Sequence, residues 1–256
     1  CLFISYSGNT EETLSGISDA KANNFDWIVI SSGGKLIDLA KNEGKEYIKV
    51  PNGLQPRAAF GYLTLAVSKI IDIAEGSNYV SQLNEASSYI DKLSKKGHKS
   101  DINKLSIDIC ESINKKTVII YSGTDMSRVV SSRWKTQINE NAKSKAFIGN
   151  LPEVHHNEIL SWDADKDGSK KNYIVIFIRD QNEHPQIKKR FELTKDLIGE
   201  KVDIIEVNIA NQESTLKTLL ELVLLGDLVS LNLAAKLAVN PNNIDTIEKL
   251  KNCLLY

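Results

Sequence analysis

Short solid apolar runs alternate along this chain with longer stretches that repeat at helical spacing, and that alternation predicts a parallel α/β fold. In the first half, strands are predicted over 1–4, 27–30 and 47–50, with helices over 11–22 and 36–42 between them. Helical periodicity then takes over, at 63–74, 80–95 and 102–113. In the second half, strands are predicted over 117–121, 146–148, 173–178 and 202–207, and helices over 126–143, 184–197, 214–237 and 244–254. The run Tyr173-Ile174-Val175-Ile176-Phe177-Ile178 has no charged or amide position, as expected of a strand covered on both faces. Both halves follow the order strand, hydroxyl- and glycine-rich turn, helix, without repeating sequence. The pattern reads as two doubly wound parallel-sheet subdomains, over 1–75 and 116–256, joined by a helical connector over 76–115. The chain opens on Cys1, inside a predicted strand. A hydroxyl-rich strand-to-helix turn is seldom the first element of such a sheet, so the first subdomain reads as lacking its N-terminal part.

Composition narrows this picture only a little. The 256 residues are 41% hydrophobic and 25% charged, with a net charge of -1. That balance argues against a general electrostatic nucleic-acid binder. No apolar run reads as long enough to span a bilayer and no signal peptide is apparent, so a cytoplasmic protein is expected. The three cysteines, Cys1, Cys110 and Cys253, are far apart and odd in number, as expected of reduced thiols. Cys1 opens an apolar strand and is expected to be buried.

Candidate chemistry begins where the first predicted strand ends. In Ser5-Tyr6-Ser7-Gly8-Asn9-Thr10, Ser5, Ser7, Asn9 and Thr10 add side-chain donors at one spot, one glycine lets the backbone come close, and a helix starts at about Thr10. A helix N-terminus offers free N–H groups and the positive end of the dipole, so the turn suits a phosphate. An ordinary N-cap would need only one such residue. In the second half, Glu140 lies between two asparagines near the C-terminal end of a predicted helix. The dipole there disfavours a carboxylate, which suits a general base; a solvated helix face is the alternative. Leu151-Pro152-Glu153-Val154-His155-His156-Asn157-Glu158 gathers two histidines and two glutamates after a proline. Adjacent histidines on an irregular loop rarely serve one metal, and an acid–base histidine fits the nearby carboxylates better. His98 and His184 lie in polar segments and receive no role. Asp163-Ala164-Asp165-Lys166-Asp167-Gly168 starts like an EF-hand loop, but its twelfth position is Ile174, inside a predicted strand, so a polar loop is expected. Ser31-Ser32-Gly33-Gly34 reads as a routine strand-end turn.

Residues 5–13, Ser-Tyr-Ser-Gly-Asn-Thr-Glu-Glu-Thr, resemble the phosphosugar-binding signature of the sugar isomerase (SIS) domain. Four further segments and the final helix resemble the bifunctional phosphoglucose/phosphomannose isomerases. They are Pro56-Arg57-Ala58-Ala59-Phe60-Gly61-Tyr62-Leu63, Asn139-Glu140-Asn141-Ala142-Lys143, Pro152–Glu158 and Gly226-Asp227-Leu228-Val229-Ser230. The resemblance runs over nearly the whole chain. It implies a flavodoxin-like SIS fold and metal-free, cofactor-free interconversion of glucose 6-phosphate, and mannose 6-phosphate, with fructose 6-phosphate through a cis-enediol. It assigns phosphate binding to Ser5, Ser7 and Thr10, enediolate stabilisation to Arg57 and proton transfer between C1 and C2 to Glu140. It assigns ring opening to His156, contributed from the neighbouring subunit of a homodimer, and to Lys251, with Lys249 as the alternative in a shifted register. The family's earlier Gly-Gly-Ser turn has no match here, and Asn242 stands where the family often has a threonine linked to mannose 6-phosphate use. A non-catalytic phosphosugar sensor would keep Ser5, Ser7 and Thr10 without needing Glu140, His156 and Lys251. The isomerase half of an amidotransferase would need a separate glutamine-handling domain.

Overall fold

The computed structural model describes residues 1–95, 101–164, 169–180, 182–208 and 214–254. His98 and Asp165-Lys166-Asp167-Gly168 lie outside the described residues. The chain divides into two compact units, Cys1–Glu85 and Ala86–Tyr256.

In the first unit, β1 (Leu2–Ile4), α1 (Glu11–Ala22), β2 (Ile28–Ser31), α2 (Gly34–Asn42) and β3 (Tyr47–Lys49) alternate, and the strands pair in parallel in the order β1-β2-β3. Alternate strand residues point to opposite faces. Phe3 and Val29 therefore join Ile17, Ala20, Leu36, Ile37 and Ala40 of α1 and α2 on one face. Leu2, Ile30 and Ile48 join Ala66, Leu63, Val67 and Ile70 of α3 (Phe60–Glu75) on the other. A short 3₁₀ helix, Pro56–Ala59, leads into α3.

Helix α4 (Tyr79–Lys95) crosses the division between the units. Next come α5 (Asp101–Ile113), β4 (Thr117–Ser122), α6 (Asp125–Ala142) and β5 (Ala146–Asn150). Two 3₁₀ turns (Glu153–His156 and Glu158–Leu160) and two single-turn helices, α7 (Ser161–Ala164) and α8 (Ser169–Asn172), lead to β6 (Tyr173–Ile178). Helix α9 (Pro185–Ile198), β7 (Asp203–Val207), α10 (Thr215–Lys236) and α11 (Asp245–Leu254) complete the order. The four strands are parallel in the order β5-β4-β6-β7. Val118, Ile120, Ile174, Ile176 and Ile178 face α5, α6 and α10; Tyr121, Val175 and Phe177 face the 151–162 segment and α9.

By length and hydropathy α10 could cross a membrane, against the expectation from the sequence. Its Leu222, Leu225, Val229 and Leu233 are instead fully buried among core side chains of α5 and α6. Cys1 is exposed rather than buried. It precedes β1, which pairs with β2 alone among the described residues.

Candidate active site

Strand β1 ends where Ser5 N–H donates to Ile30 O at 3.2 Å, and the chain then folds back on itself. Ser5 is buried, and its Oγ accepts from Gly8 N–H at 3.1 Å and lies 2.6 Å from Thr10 Oγ1. Ser7 and Thr10 are exposed on the rim. Thr10 is the N-cap residue of α1 but makes no side-chain cap bond, because its hydroxyl is turned to Ser5. Thr10 therefore does not act as an ordinary side-chain cap of α1, and a helix N-terminus without such a cap suits an anion.

The turn is held from behind by the loop 31–34. Gly8 has φ +70°, and a Cβ on it would stand 1.8 Å from Gly33 O. Gly8 O accepts from Leu36 N–H at 3.0 Å, and Asn9 Oδ1 accepts from Lys35 N–H at 3.1 Å. Asn9, grouped with the phosphate donors on sequence, thus caps α2. The 31–34 turn is a buttress: Ser32 Oγ donates to Tyr6 O at 2.6 Å and Ser31 Oγ to Gly33 O at 2.8 Å. Sequence reasoning missed this because nothing along the chain marks which of two turns supports the other. Arg57 is half-buried in the 3₁₀ helix, with Nη1 3.5 Å from Gln55 Oε1.

In the second unit, the corresponding turn follows β4. Ser122 is buried and bonded to Asn150 Oδ1 at 2.9 Å and to Ser131 Oγ at 3.0 Å, and Asp125 opens α6 as Glu11 and Glu12 open α1. Glu140 lies at the other end of α6 and lines a cleft of about 580 Å³ with Lys143, Asn240, Ile244 and Ile247 among its walls. Lys143, in the left-handed C-cap conformation, donates to the Glu140 carbonyl and, at 3.2 Å, to Pro241 O. The ammonium thereby complements the negative end of α6 and ties it to the wall of the cleft.

One polar stripe on α6 sets its angle against α10. Arg133, Gln137 and Asn141, at four-residue spacing, bond Asp227 Oδ2 at 2.8 Å, Asp227 Oδ1 at 2.6 Å and Ser230 Oγ at 2.9 Å. Trp134 Nε1 donates to Leu222 O at 2.8 Å, directly over Gly226. Asp227, Ser230 and Asn141, given no role from the sequence, form this seam one helical position from Glu140.

The two neighbouring histidines differ. His155 Nδ1 accepts from Arg190 Nη1 at 3.0 Å, so its proton is on Nε2, which donates to Thr194 Oγ1 at 2.7 Å. Thr194 in turn donates to Arg190 O at 2.7 Å. Burial, then Arg190, then His156 lower the His155 pKa, so the ring is held neutral in one tautomer. His156 is exposed at the end of its 3₁₀ turn. The segment is pinned by Tyr121, whose OH donates to Glu158 Oε1 at 2.7 Å and accepts from Trp162 Nε1 at 3.0 Å. Burial and Glu158 push the Tyr121 pKa up, so it stays a phenol donor.

Lys251 is exposed on α11, one turn beyond Ile247, which lines the Glu140 cleft. The structure therefore brings α11 and Glu140 to one cleft, and His156 is not among the residues that line it. Among the described residues, no three His, Cys, Asp or Glu side chains gather as a metal ion would require.

Residues 102–254 match the family described as the bacterial phospho-glucose isomerase C-terminal SIS domain. The bifunctional phosphoglucose/phosphomannose isomerase of Aquifex aeolicus is 34% identical over 97% of this chain and 73% of that protein. The D-glucosamine-6-phosphate 4-epimerase of Sulfolobus acidocaldarius is 30% identical over 97% of this chain and 74% of that one. Among solved structures, the C-terminal domain of glucosamine-fructose-6-phosphate aminotransferase from Francisella tularensis superposes with a TM-score of 0.67 at 14% identity, over 94% of this chain and 72% of that one. A likeness at that identity carries the SIS fold alone.

Proposed function

Because this chain belongs to the bifunctional phosphoglucose/phosphomannose isomerase family, we propose that it interconverts glucose 6-phosphate, and mannose 6-phosphate, with fructose 6-phosphate. The observation that carries the reading is the uncapped N-terminus of α1 under the Ser7 and Thr10 hydroxyls. It is suited to a 6-phosphate, which anchors a sugar away from its reacting carbons. Ser5 orients Thr10 from beneath. Glu140 takes the C2 proton and returns it at C1, while the hydroxyl proton moves from O2 to O1. The positive charge of Arg57 stabilises the enediolate oxygens as charge develops on them. His156 and Lys251 open the ring by moving protons at the ring oxygen and the anomeric hydroxyl. None of these steps calls on a metal or redox cofactor.

Substituting Glu140→Gln keeps shape and removes basicity. Turnover of glucose 6-phosphate to fructose 6-phosphate is expected to fall by about 10²–10⁴-fold, with 6-phosphogluconate still bound. Near-normal turnover by that variant would remove Glu140 from its role. The Sulfolobus relative supports a second reading, inversion at C4 of a hexosamine phosphate. Product analysis by NMR separates the two, since a C4-inverted sugar in place of fructose 6-phosphate would select the second.

A further inference from the structure

Tyr6 stands between two serines of the phosphate turn, and the mechanism above makes no use of its side chain. Its ring packs beside Ile30, Val50 and Ala66, on the face of the sheet covered by α3. Its hydroxyl reaches away from the turn, donating to Pro51 O at 3.0 Å and accepting from Leu54 N–H at 2.9 Å. Those two groups are the first carbonyl and fourth N–H of the turn 51–54. In a closed β-turn they would bond each other. Gly53, third in the turn, has φ +85°, as a type II turn requires. The phenol is thus inserted into the turn's own hydrogen bond.

The turn leads straight to Arg57. Gln55 O accepts from Ala58 N–H at 2.8 Å, starting the 3₁₀ helix that carries the arginine three residues after Leu54. The Tyr6 backbone is anchored at the same time, its carbonyl accepting from Ser32 N–H at 3.0 Å and Ser32 Oγ at 2.6 Å. One residue therefore ties the phosphate turn, its buttress and the strap before Arg57 together, across more than 40 positions of sequence.

We propose that Tyr6 is a positioning residue that sets Arg57 at a fixed distance from the phosphate turn, so that a sugar held by its 6-phosphate meets the guanidinium at its reacting end. The inference rests on the role given to Arg57 under Proposed function. It is tested by steady-state kinetics of the intact protein carrying Tyr6→Phe, Arg57→Leu, or both.

Tyr6→Phe keeps the ring and its packing. Its kcat is expected to fall about 10- to 100-fold, the scale of a misplaced catalytic group. KM and competitive inhibition by inorganic phosphate should stay within about twofold, since ground-state binding is untouched. Adding Tyr6→Phe to Arg57→Leu should lower kcat no further, because the tyrosine acts through the arginine. Full turnover by Arg57→Leu would overturn the arginine's role and this inference with it. An impaired Arg57→Leu beside a fully active Tyr6→Phe would overturn the inference alone. So would a Tyr6→Phe loss that persists undiminished in the Arg57→Leu background, or one that appears as weakened phosphate inhibition.

Discussion

His155 and His156 show how little residue type says about role. Arg190 and Thr194 take both ring nitrogens of His155, which then fixes the backbone from which exposed His156 projects. This has a consequence for pH. Burial lowers the His155 pKa below its ordinary 6.5, so the unfolded chain takes up this proton first. The stability that the neutral ring contributes is present above about pH 6.5 and is lost as the pH falls through the lowered value. The melting temperature of the wild type should therefore drop more steeply between about pH 7 and pH 5 than that of His155→Gln. Parallel profiles would show that the ring is not held neutral.

At the scale of elements, the contact between α6 and α10 holds the helix that carries Glu140. A Cβ on Gly226 would stand 2.3 Å from Trp134 Nε1. Gly226→Ala should force the helices apart and cost about 1–3 kcal/mol, as overpacking of a filled core does. Gly61 in α3 has nothing within 4 Å of an added Cβ. Gly61→Ala should stabilise by about 0.5–1 kcal/mol. Chemical denaturation of the two variants checks the pair, and equal effects would show that the close approach is absent. The sequence made the regular elements legible where one period dominates. Strand β6 falls on the six predicted residues because its apolar run is bounded by Asn172 and Arg179. The 3₁₀ turns after Pro152, α7 and α8 escaped, because each is too short for a helical period to register. Of the proposed site, the Ser5–Thr10 donors and Glu140 stand out in the sequence as chemistry unusual for their position. The parts given to Tyr6, Asn9, the 31–34 turn and the Asp227 seam do not. Each depends on a partner about 25 to 95 positions away, and no local pattern encodes such a contact.

For the whole molecule, the placement of His156 bears on assembly. It is not among the residues lining the Glu140 cleft, and the family resemblance brings this histidine in from a neighbouring subunit. A two-fold homodimer would then carry two equivalent composite sites. Mixing His156→Ala with Glu140→Gln protein should restore turnover, because in the mixed dimer one site collects both defects and the other has neither. If native mass spectrometry shows subunit exchange and no activity returns, the shared site is disproved.

The interlocked turns of the first unit also bear on how such a protein can diversify. Asn9 caps α2, and Gly8 leaves no room for a side chain beside Gly33, so neither loop can lengthen or drift without dislodging the other. The turn proposed to grip the phosphate is therefore a fitting that is kept whole or lost whole. The segments 151–162 and 239–247 hang from other elements and share none of those bonds. On the proposed reading, new sugar preferences can be written there without loosening the phosphate handle.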